Sequence, residues 1–468
     1  MVATIQKSET FHSPRVDVDS RQEEPIGRRL GLAVIMAVVM PAMLLLEAWN
    51  SRSWRYKHWV LTIFVTVYGS VIYLAVSADG RTAADGWTHL QHVHLYYVGM
   101  DFATYIRELG YIMTFRIGEF DFVRDPYIHT VAYLTGGVLG TPRLFFVIIA
   151  FVYGYFFSGS VLHVLRYFSA SPKSLLIIGF VVVFLLSKNV EGVNTVRTWT
   201  GMWILVYACL KYHQSRRLRY LLLMFVPPFI HFGFFLMAIP AWAVVVFGSR
   251  PLTYSVLFGL SIFMSLINPG DVSSRIAQTE RGESHLDHYL VEERRGGNII
   301  QNFQNSRARG DRPWRTARVI GVHRWALYVF VGSILVSGIY FSVMNGYQKL
   351  VFSTGLLTLT FSNSFWFLFA VSNRSWLVGV ILVLAAFLMA RLDPDTSRST
   401  MRQVARYKWW FHLSLLLFVP NILFSVSHLM DYVSVFVFSL PFLVWLDPEL
   451  NMSVKEFLQL LLGMRGSR

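Results

Sequence analysis

Apolar runs of about eighteen to twenty residues recur along this chain, and each is long enough to cross about 30 Å of hydrocarbon as a helix. Charged residues make up only 15% of the sequence, against about 25% in soluble globular proteins, and the mean hydropathy is +0.47. A transmembrane β-barrel would need short alternating strands, whereas the run 377–390 is apolar without interruption. The sequence therefore predicts an all-α, polytopic transmembrane bundle.

The apolar runs predict about twelve or thirteen spans within residues 30–446. The polar, mixed-charge segment 1–29 is predicted to be a disordered tail, and residues 447–468 a cytoplasmic tail. The predicted spans are residues 30–49, 59–77, 144–165, 174–186, 198–210, 218–230, 232–247, 252–267, 326–343, 350–371, 377–390, 409–426 and 433–445.

Lysine and arginine are enriched in short cytoplasmic loops, which sets the predicted orientation. Three short basic segments, 52–57, 211–219 and 391–408, are placed in the cytoplasm. The segment 78–126 holds four arginines against seven acidic residues and is placed outside, as is the long polar loop 268–325. Two large external loops over a helical bundle suit an active site that faces outward.

This orientation makes two further demands on the chain. The segment 127–139 is too short to cross, so it must lie at the interface or re-enter the membrane. The stretch 218–247 must cross twice, with the turn around His231.

The charge and cysteine content limit the partners and cofactors. The chain carries 42 Lys and Arg against 27 Asp and Glu, but no basic cluster lies on a soluble domain, so we expect an anionic lipid or substrate and no nucleic acid. The single cysteine, Cys209, excludes an internal disulfide and a Cys-based metal site. The spacing of His89, His92 and His94 is a weak metal signal, so we expect neither a metal nor a cofactor.

Asp101 and Tyr105 are a candidate functional pair in the first external loop. They are four residues apart, so a helix would place both on one face. The alternative, which the residues alone favour, is that Asp101 caps the helix and Tyr105 anchors it at the membrane interface.

Arg197 follows Asn194-Thr195-Val196 and opens the span 198–210, where its charge opposes the helix dipole. Glu191, one or two turns earlier, would neutralise it in a purely structural reading. In the functional reading, the guanidinium and the free helix N–H groups bind an anion such as phosphate. The sequence leaves both open.

His231 is a lone histidine in an apolar stretch, and such residues usually serve packing. Pro228 and Gly233 nevertheless weaken the helix around it, and a broken helix at membrane depth is tolerated where it lines a cavity. This setting makes His231 a candidate functional group.

The triplet Ser372-Asn373-Arg374 is predicted to form an external turn between two spans. Arg374 either snorkels to lipid headgroups or forms, with Arg197, the second arm of a diphosphate clamp.

The motifs in this order resemble the EpsG-like branch of the Wzy polysaccharide polymerases, over about residues 90–245. Thr198 and Gly233 stand where that family usually has Gln and Ser. The motifs that carry the resemblance are Val98-Gly99-Met100-Asp101 with Tyr105, Asp125-Pro126 before an apolar segment, Asn194-Thr195-Val196-Arg197 at the start of a span, and a basic loop before a span that ends at His231.

The resemblance implies polymerisation of exopolysaccharide or O-antigen repeat units carried on undecaprenyl diphosphate, at the outer face of the bacterial cytoplasmic membrane. The implied partners are this lipid-linked oligosaccharide, membrane lipids, and other polysaccharide export and chain-length proteins. A glycan ligase, a membrane sugar acyltransferase and a precursor flippase are the alternatives. The implied site residues are His231 or Asp101 as the base, with Arg197, Arg374, Tyr105 and Asn194 binding substrate.

Overall fold

The computed structural model describes residues 26–74, 85–114, 116, 125–166, 174–264, 321–366 and 369–463. Within these residues the chain is all-α, with an isolated β-bridge between Ser434 and Ser453 and no sheet. The α-helices are α1 Ile26–Val39, α2 Ala42–Asn50, α3 Trp54–Ser70, α4 Asp85–His92, α5 Phe102–Met113, α6 Pro126–Ala132, α7 Leu144–Leu165, α8 Leu175–Ser187, α9 Thr198–Ser215, α10 Leu218–Leu223, α11 Pro227–Ile230, α12 Phe234–Met237, α13 Ile239–Phe247, α14 Pro251–Met264, α15 Val322–Val336, α16 Gly346–Ser364, α17 Phe369–Leu392, α18 Pro394–Arg406, α19 Lys408–Tyr432, α20 Phe442–Leu446 and α21 Val454–Leu461.

Three of the predicted regions lie mostly or partly outside the described residues. Most of the tail 1–29 and most of the loop 268–325 lie outside the described residues, as do parts of the loop 78–126.

Four helical segments of the described chain are long and apolar enough to cross a membrane: Leu144–Leu165, Leu175–Thr195, Val371–Leu392 and Lys408–Tyr432. Their surroundings differ. In α17, 94% of the apolar window is buried among other helices, whereas in α19 only 11% is. Helix α17 is therefore the centre of the bundle, and α19 lies at its periphery with apolar surface available to lipid.

Two glycines allow α16 to pack closely on α17. A Cβ atom on Gly379 would lie 2.6 Å from Cγ of Leu359, and one on Gly355 would lie 2.9 Å from the backbone nitrogen of Val383. Larger residues at these two positions would push the helices apart. Because glycine has no side chain, the two helices can approach closely where they cross. The packing fixes the central helix on which Arg374 is placed.

The predicted turn at Ser372-Asn373-Arg374 is wrong, because these residues lie inside α17, which begins at Phe369. Three polar residues occupy less than one helical turn of 3.6 residues, so they do not end a helix whose flanking residues are apolar. The consequence is that Arg374 is held on a rigid helix and not on a loop.

Two predicted spans are not continuous helices. The segment 433–445 contains a 3₁₀ turn at Val435–Val437, and Leu440 has a φ of 54°. The segment 30–49 is divided between α1 and α2 at Pro41, which lacks the N–H that a helix interior requires.

The stretch 218–247 is divided into the four short helices α10 to α13. His231 lies between α11 and α12 in an extended conformation, with φ −156° and ψ 119°. The break that Pro228 and Gly233 predicted is therefore present at His231 itself.

Helices α9 and α17 both run from a candidate site residue to a basic segment. Arg197 precedes α9, and the basic segment 211–219 contains its end. Arg374 lies near the start of α17 and Arg391 lies near its end. At a rise of 1.5 Å per residue, these two positions are about 25 Å apart along the helix. Arg374 and the basic segment 391–408 thus lie toward opposite ends of the bundle.

This arrangement predicts the labelling of engineered cysteines. Asp101 and Arg402 are both exposed, and the native Cys209 is buried, so it should stay unreactive. In intact cells, a membrane-impermeant maleimide should label the Asp101→Cys protein, and should label the Arg402→Cys protein only after permeabilisation. Labelling of the Arg402→Cys protein in intact cells would contradict the predicted orientation.

Candidate functional site

Four side chains from distant parts of the sequence meet at one end of the bundle. They are Asp125, Arg197, His231 and Arg374, and we call them the Asp125 cluster. Arg197 donates from Nη1 to Oδ2 of Asp125, and Arg374 Nη1 contacts Nε2 of His231. His231 Nδ1 lies 3.2 Å from Oδ1 of Asp125. The cluster is a continuous chain of polar contacts from one guanidinium to the other.

Asp125 is the acceptor on which this chain depends. It occupies the position before α6, with Pro126 as the first helical residue, but its side chain does not cap that helix. Oδ1 instead accepts from the backbone N–H of Phe232 at 2.9 Å, beside the imidazole of His231. The carboxylate therefore binds the break between α11 and α12 to the start of α6.

The environment of Asp125 keeps it ionised. The residue is only 1% exposed, and burial by itself would raise its pKa. The hydrogen bond with His231, the charge of Arg197 and the N–H of Phe232 outweigh burial and lower the pKa to about 2. Asp125 is therefore a carboxylate at neutral pH.

The contacts of His231 define its tautomer. A guanidinium can only donate, so Nε2 in contact with Arg374 must carry a lone pair. The proton of the neutral ring is then on Nδ1, which donates to Asp125. This is the Asp–His arrangement in which a carboxylate orients an imidazole and leaves Nε2 as the base. Here Arg374 covers that base.

A strained turn places Arg197. The backbone N–H of Arg197 donates to the carbonyl of Thr195 at 2.6 Å, which closes a three-residue γ-turn around Val196. Val196 has φ 52° and ψ −68°, a conformation that is rare and strained for a β-branched residue. Strain of this kind is commonly found at functional sites, because the surrounding structure must hold it in place.

The predicted structural partner of Arg197 is not the one it has. Glu191 instead contacts Lys188 Nζ at 2.6 Å and His428 Nδ1 at 3.1 Å. Arg197 pairs with Asp125, which precedes it by 72 residues. The charge that opposes the dipole of α9 is therefore balanced by another part of the chain.

Asp101 and Tyr105 lie outside the cluster. Asp101 is exposed and caps α5, accepting from the backbone N–H of Thr104 at 2.9 Å, and these hydrogen bonds lower its pKa. Tyr105 stacks on Tyr133 with ring centroids 4.2 Å apart. Within the described residues, no hydrogen bond, ion pair or ring contact joins either of them to the Asp125 cluster.

Asn194 is linked to the Asp125 cluster indirectly, through α4. Its Oδ1 accepts from the backbone N–H of Gly86 at 3.1 Å, which fastens α4 beside the start of α9. His89 lies on α4. Its burial, which has the larger effect, and the nearby charge of Arg197 together lower its pKa to about 3. His89 is thus a neutral neighbour of Arg197 and Asp125.

Sequence reasoning identified Arg197, His231 and Arg374 but did not select Asp125 as a site residue. The available signal was an acidic residue directly before a proline at the start of an apolar segment. Among the described residues, no three His, Cys, Asp or Glu side chains are grouped closely enough to hold a metal ion.

Comparison with known proteins returns nothing similar: no family model, no curated protein and no solved structure matches this chain.

The pairing of Arg197 predicts a specific pattern of coupling. Asp125→Asn should lower the free energy of unfolding by about 1–3 kcal/mol, since Arg197 loses its partner but is 28% exposed. Asp125→Asn with Arg197→Gln should cost less than the sum of the single changes, by about 1 kcal/mol. Reversible denaturation in mixed micelles measures each value.

The matched control is Glu191→Gln, combined with the same Arg197→Gln change. These two effects should add to within about 0.5 kcal/mol, because the two residues have separate partners. Coupling of Arg197 to Glu191 and not to Asp125 would contradict the geometry of the cluster.

Proposed function

We propose that this chain is a membrane glycosyltransferase that polymerises undecaprenyl-diphosphate-linked oligosaccharide repeat units into exopolysaccharide or O-antigen. The ordered motifs of residues 90–245 support this function, because they resemble those of the EpsG-like Wzy polymerases. The observation that carries it is the position of the His231 imidazole, between the Asp125 carboxylate and the Arg374 guanidinium. A base and two cations at one point suit transfer from a diphosphate donor.

In the proposed reaction, His231 is the general base. An acceptor hydroxyl oxygen attacks the anomeric carbon of the donor sugar, and its proton passes to Nε2 of His231. The bond between that carbon and the phosphate oxygen breaks, and undecaprenyl diphosphate leaves with the electron pair. Asp125 keeps the ring in the required tautomer and stabilises the imidazolium that forms.

Arg197 and Arg374 bind the diphosphate and stabilise the charge that develops on it as it leaves. A guanidinium matches two phosphate oxygens in one plane, and the N-terminus of α9 adds free N–H groups beside Arg197. Arg197 uses Nη1 for Asp125, and its side chain is 28% exposed, so its outer edge remains accessible to a ligand.

Arg374 links donor binding to the release of the base. A diphosphate is a stronger partner for a guanidinium than a neutral imidazole, since both partners are then charged. The bound donor would therefore draw Arg374 away and expose Nε2 for the acceptor. The site would hold a free base only when its donor is present.

The proposed location is the outer face of the bacterial cytoplasmic membrane, in a multi-pass chain. The length of α17 between Arg374 and the basic segment 391–408 supports this placement, as does α9 between Arg197 and the segment 211–219. A lipid-linked donor would reach the cluster from the bilayer. The proposed partners are that donor, membrane lipids, and export and chain-length proteins.

Replacing the base tests this proposal. In proteoliposomes supplied with a purified lipid-linked repeat unit, the His231→Gln protein should elongate chains about 10²–10⁴-fold more slowly than the unaltered protein, the usual worth of acid–base catalysis. Polymer length and amount are read from a gel ladder over time.

His213→Gln is the matched control, because His213 is equally buried but contacts Thr354 at the other end of α9. The His213→Gln protein should elongate chains at the same rate as the unaltered protein. Normal elongation by the His231→Gln protein would return His231 to a packing role, and single transfer to another acceptor without a ladder would point to a ligase.

A further inference from the structure

A polar pocket lies beside the Asp125 cluster and has no part in the reaction above. It is formed by the end of α8 with Lys188 and Glu191, the start of α9, His323 at the start of α15, the first turns of α17 and the second half of α19. Asn373, which lines it, is adjacent to Arg374, and Trp199, which also lines it, follows Arg197 by two residues. We call it the tryptophan pocket. The same two helix starts therefore serve both the cluster and the pocket.

The pocket combines aromatic faces with amides. Trp199, Trp376 and Phe424 supply the rings, and Asn373 and Asn421 supply the amides. Pro420 lies inside α19 directly before Asn421 and removes a helical N–H there. A few polar groups among aromatic side chains are typical of pockets that bind an uncharged organic ligand in one orientation.

One buried donor in the pocket lacks a hydrogen-bond acceptor among the described residues. Trp376 is 4% exposed and packs edge-on against the ring of His323, but no described residue accepts a hydrogen bond from its Nε1–H. A buried donor left unsatisfied costs about 1–3 kcal/mol, so such groups call for an explanation. A ligand hydroxyl in the pocket would supply the missing acceptor.

The charges in the pocket are already paired with each other. Glu191 is held by Lys188 at 2.6 Å and His428 at 3.1 Å, and the Lys188 ammonium lies 4.5 Å from the ring centroid of Trp199. The lysine is thus committed to a carboxylate and an aromatic face. This pairing disfavours a second phosphate as the ligand, whereas a hydroxyl can still donate to the fixed carboxylate.

We propose that the tryptophan pocket binds a sugar ring of the glycan, with C–H faces on the tryptophans and hydroxyls on Trp376 Nε1, Asn373, Asn421 and Glu191. The inference rests on the proposed function, since it gives that site its carbohydrate subsite. The ring belongs either to the lipid-linked donor or to the lipid-free part of the glycan, and the two probes below separate these sources.

Binding is measured without turnover, by titrating the purified protein in nanodiscs. One probe is the intact lipid-linked repeat unit, and the other is the oligosaccharide released from it by mild acid. Trp376→Phe keeps an aromatic ring but loses the N–H, so it should weaken binding about three- to tenfold, the value of one neutral hydrogen bond. Asn421→Ala, at a half-buried position, should weaken binding similarly.

Trp242→Phe is the matched control, because its buried indole N–H also has no acceptor in the described part of the chain, but Trp242 lies on α13, outside the pocket. It should bind both probes as the unaltered protein does. If the pocket variants bind both probes more weakly, the pocket binds the glycan itself. If they bind only the lipid-linked probe more weakly, the pocket binds the donor.

The proposal is overturned if Trp376→Phe and Asn421→Ala proteins, shown to be folded by thermal melting, bind both probes normally, or if neither probe binds the unaltered protein. Competition by glycerol phosphate, a lipid headgroup, would also overturn it. Binding at the pocket without any chain elongation would refute the proposed polymerase and leave the sugar site standing, so the two failures are distinguishable.

Discussion

The buried carboxylate of Asp125 is the interaction on which the candidate site depends. It accepts from the side chain of Arg197, from the imidazole of His231 and from the backbone N–H of Phe232. These donors come from the start of α9 and from the break between α11 and α12, so one acidic residue joins three separate segments. A buried charge is tolerated only with such partners, which is why the arrangement constrains all of them at once.

The rest of the fold holds the cluster at one end of a rigid bundle. Helix α17 is buried almost throughout and is packed closely on α16 at Gly355 and Gly379, so Arg374 is presented from a fixed support. The second support of the cluster is the broken segment α10 to α13. There His231 has an extended backbone and can turn its ring toward the carboxylate of Asp125. One rigid and one interrupted element together bring Arg374 onto Nε2 of His231.

The sequence predicted the all-α character, the break at His231 and three members of the cluster, because apolar runs, Pro228 and Gly233, and charges at span ends are local signals. It did not select Asp125 as a site residue, because the partners Arg197 and His231 lie 72 and 106 residues away and the local Asp-Pro signal does not show that pairing. It also placed Arg374 in a turn, although three polar residues are too few to end a long apolar helix. Asp101 caps α5, which is the alternative that the residues alone favoured, and Tyr105 stacks on Tyr133, so neither residue joins the cluster.

In the proposed reaction, the diphosphate of the donor replaces His231 as the partner of Arg374. A cryo-EM structure of the protein in nanodiscs with undecaprenyl diphosphate tests it directly. We expect phosphate oxygens within about 3 Å of the guanidinium nitrogens of both Arg197 and Arg374, with Nε2 of His231 exposed and the Asp125–His231 contact intact. Diphosphate bound elsewhere, or Arg374 still resting on Nε2 with the ligand in place, would contradict it.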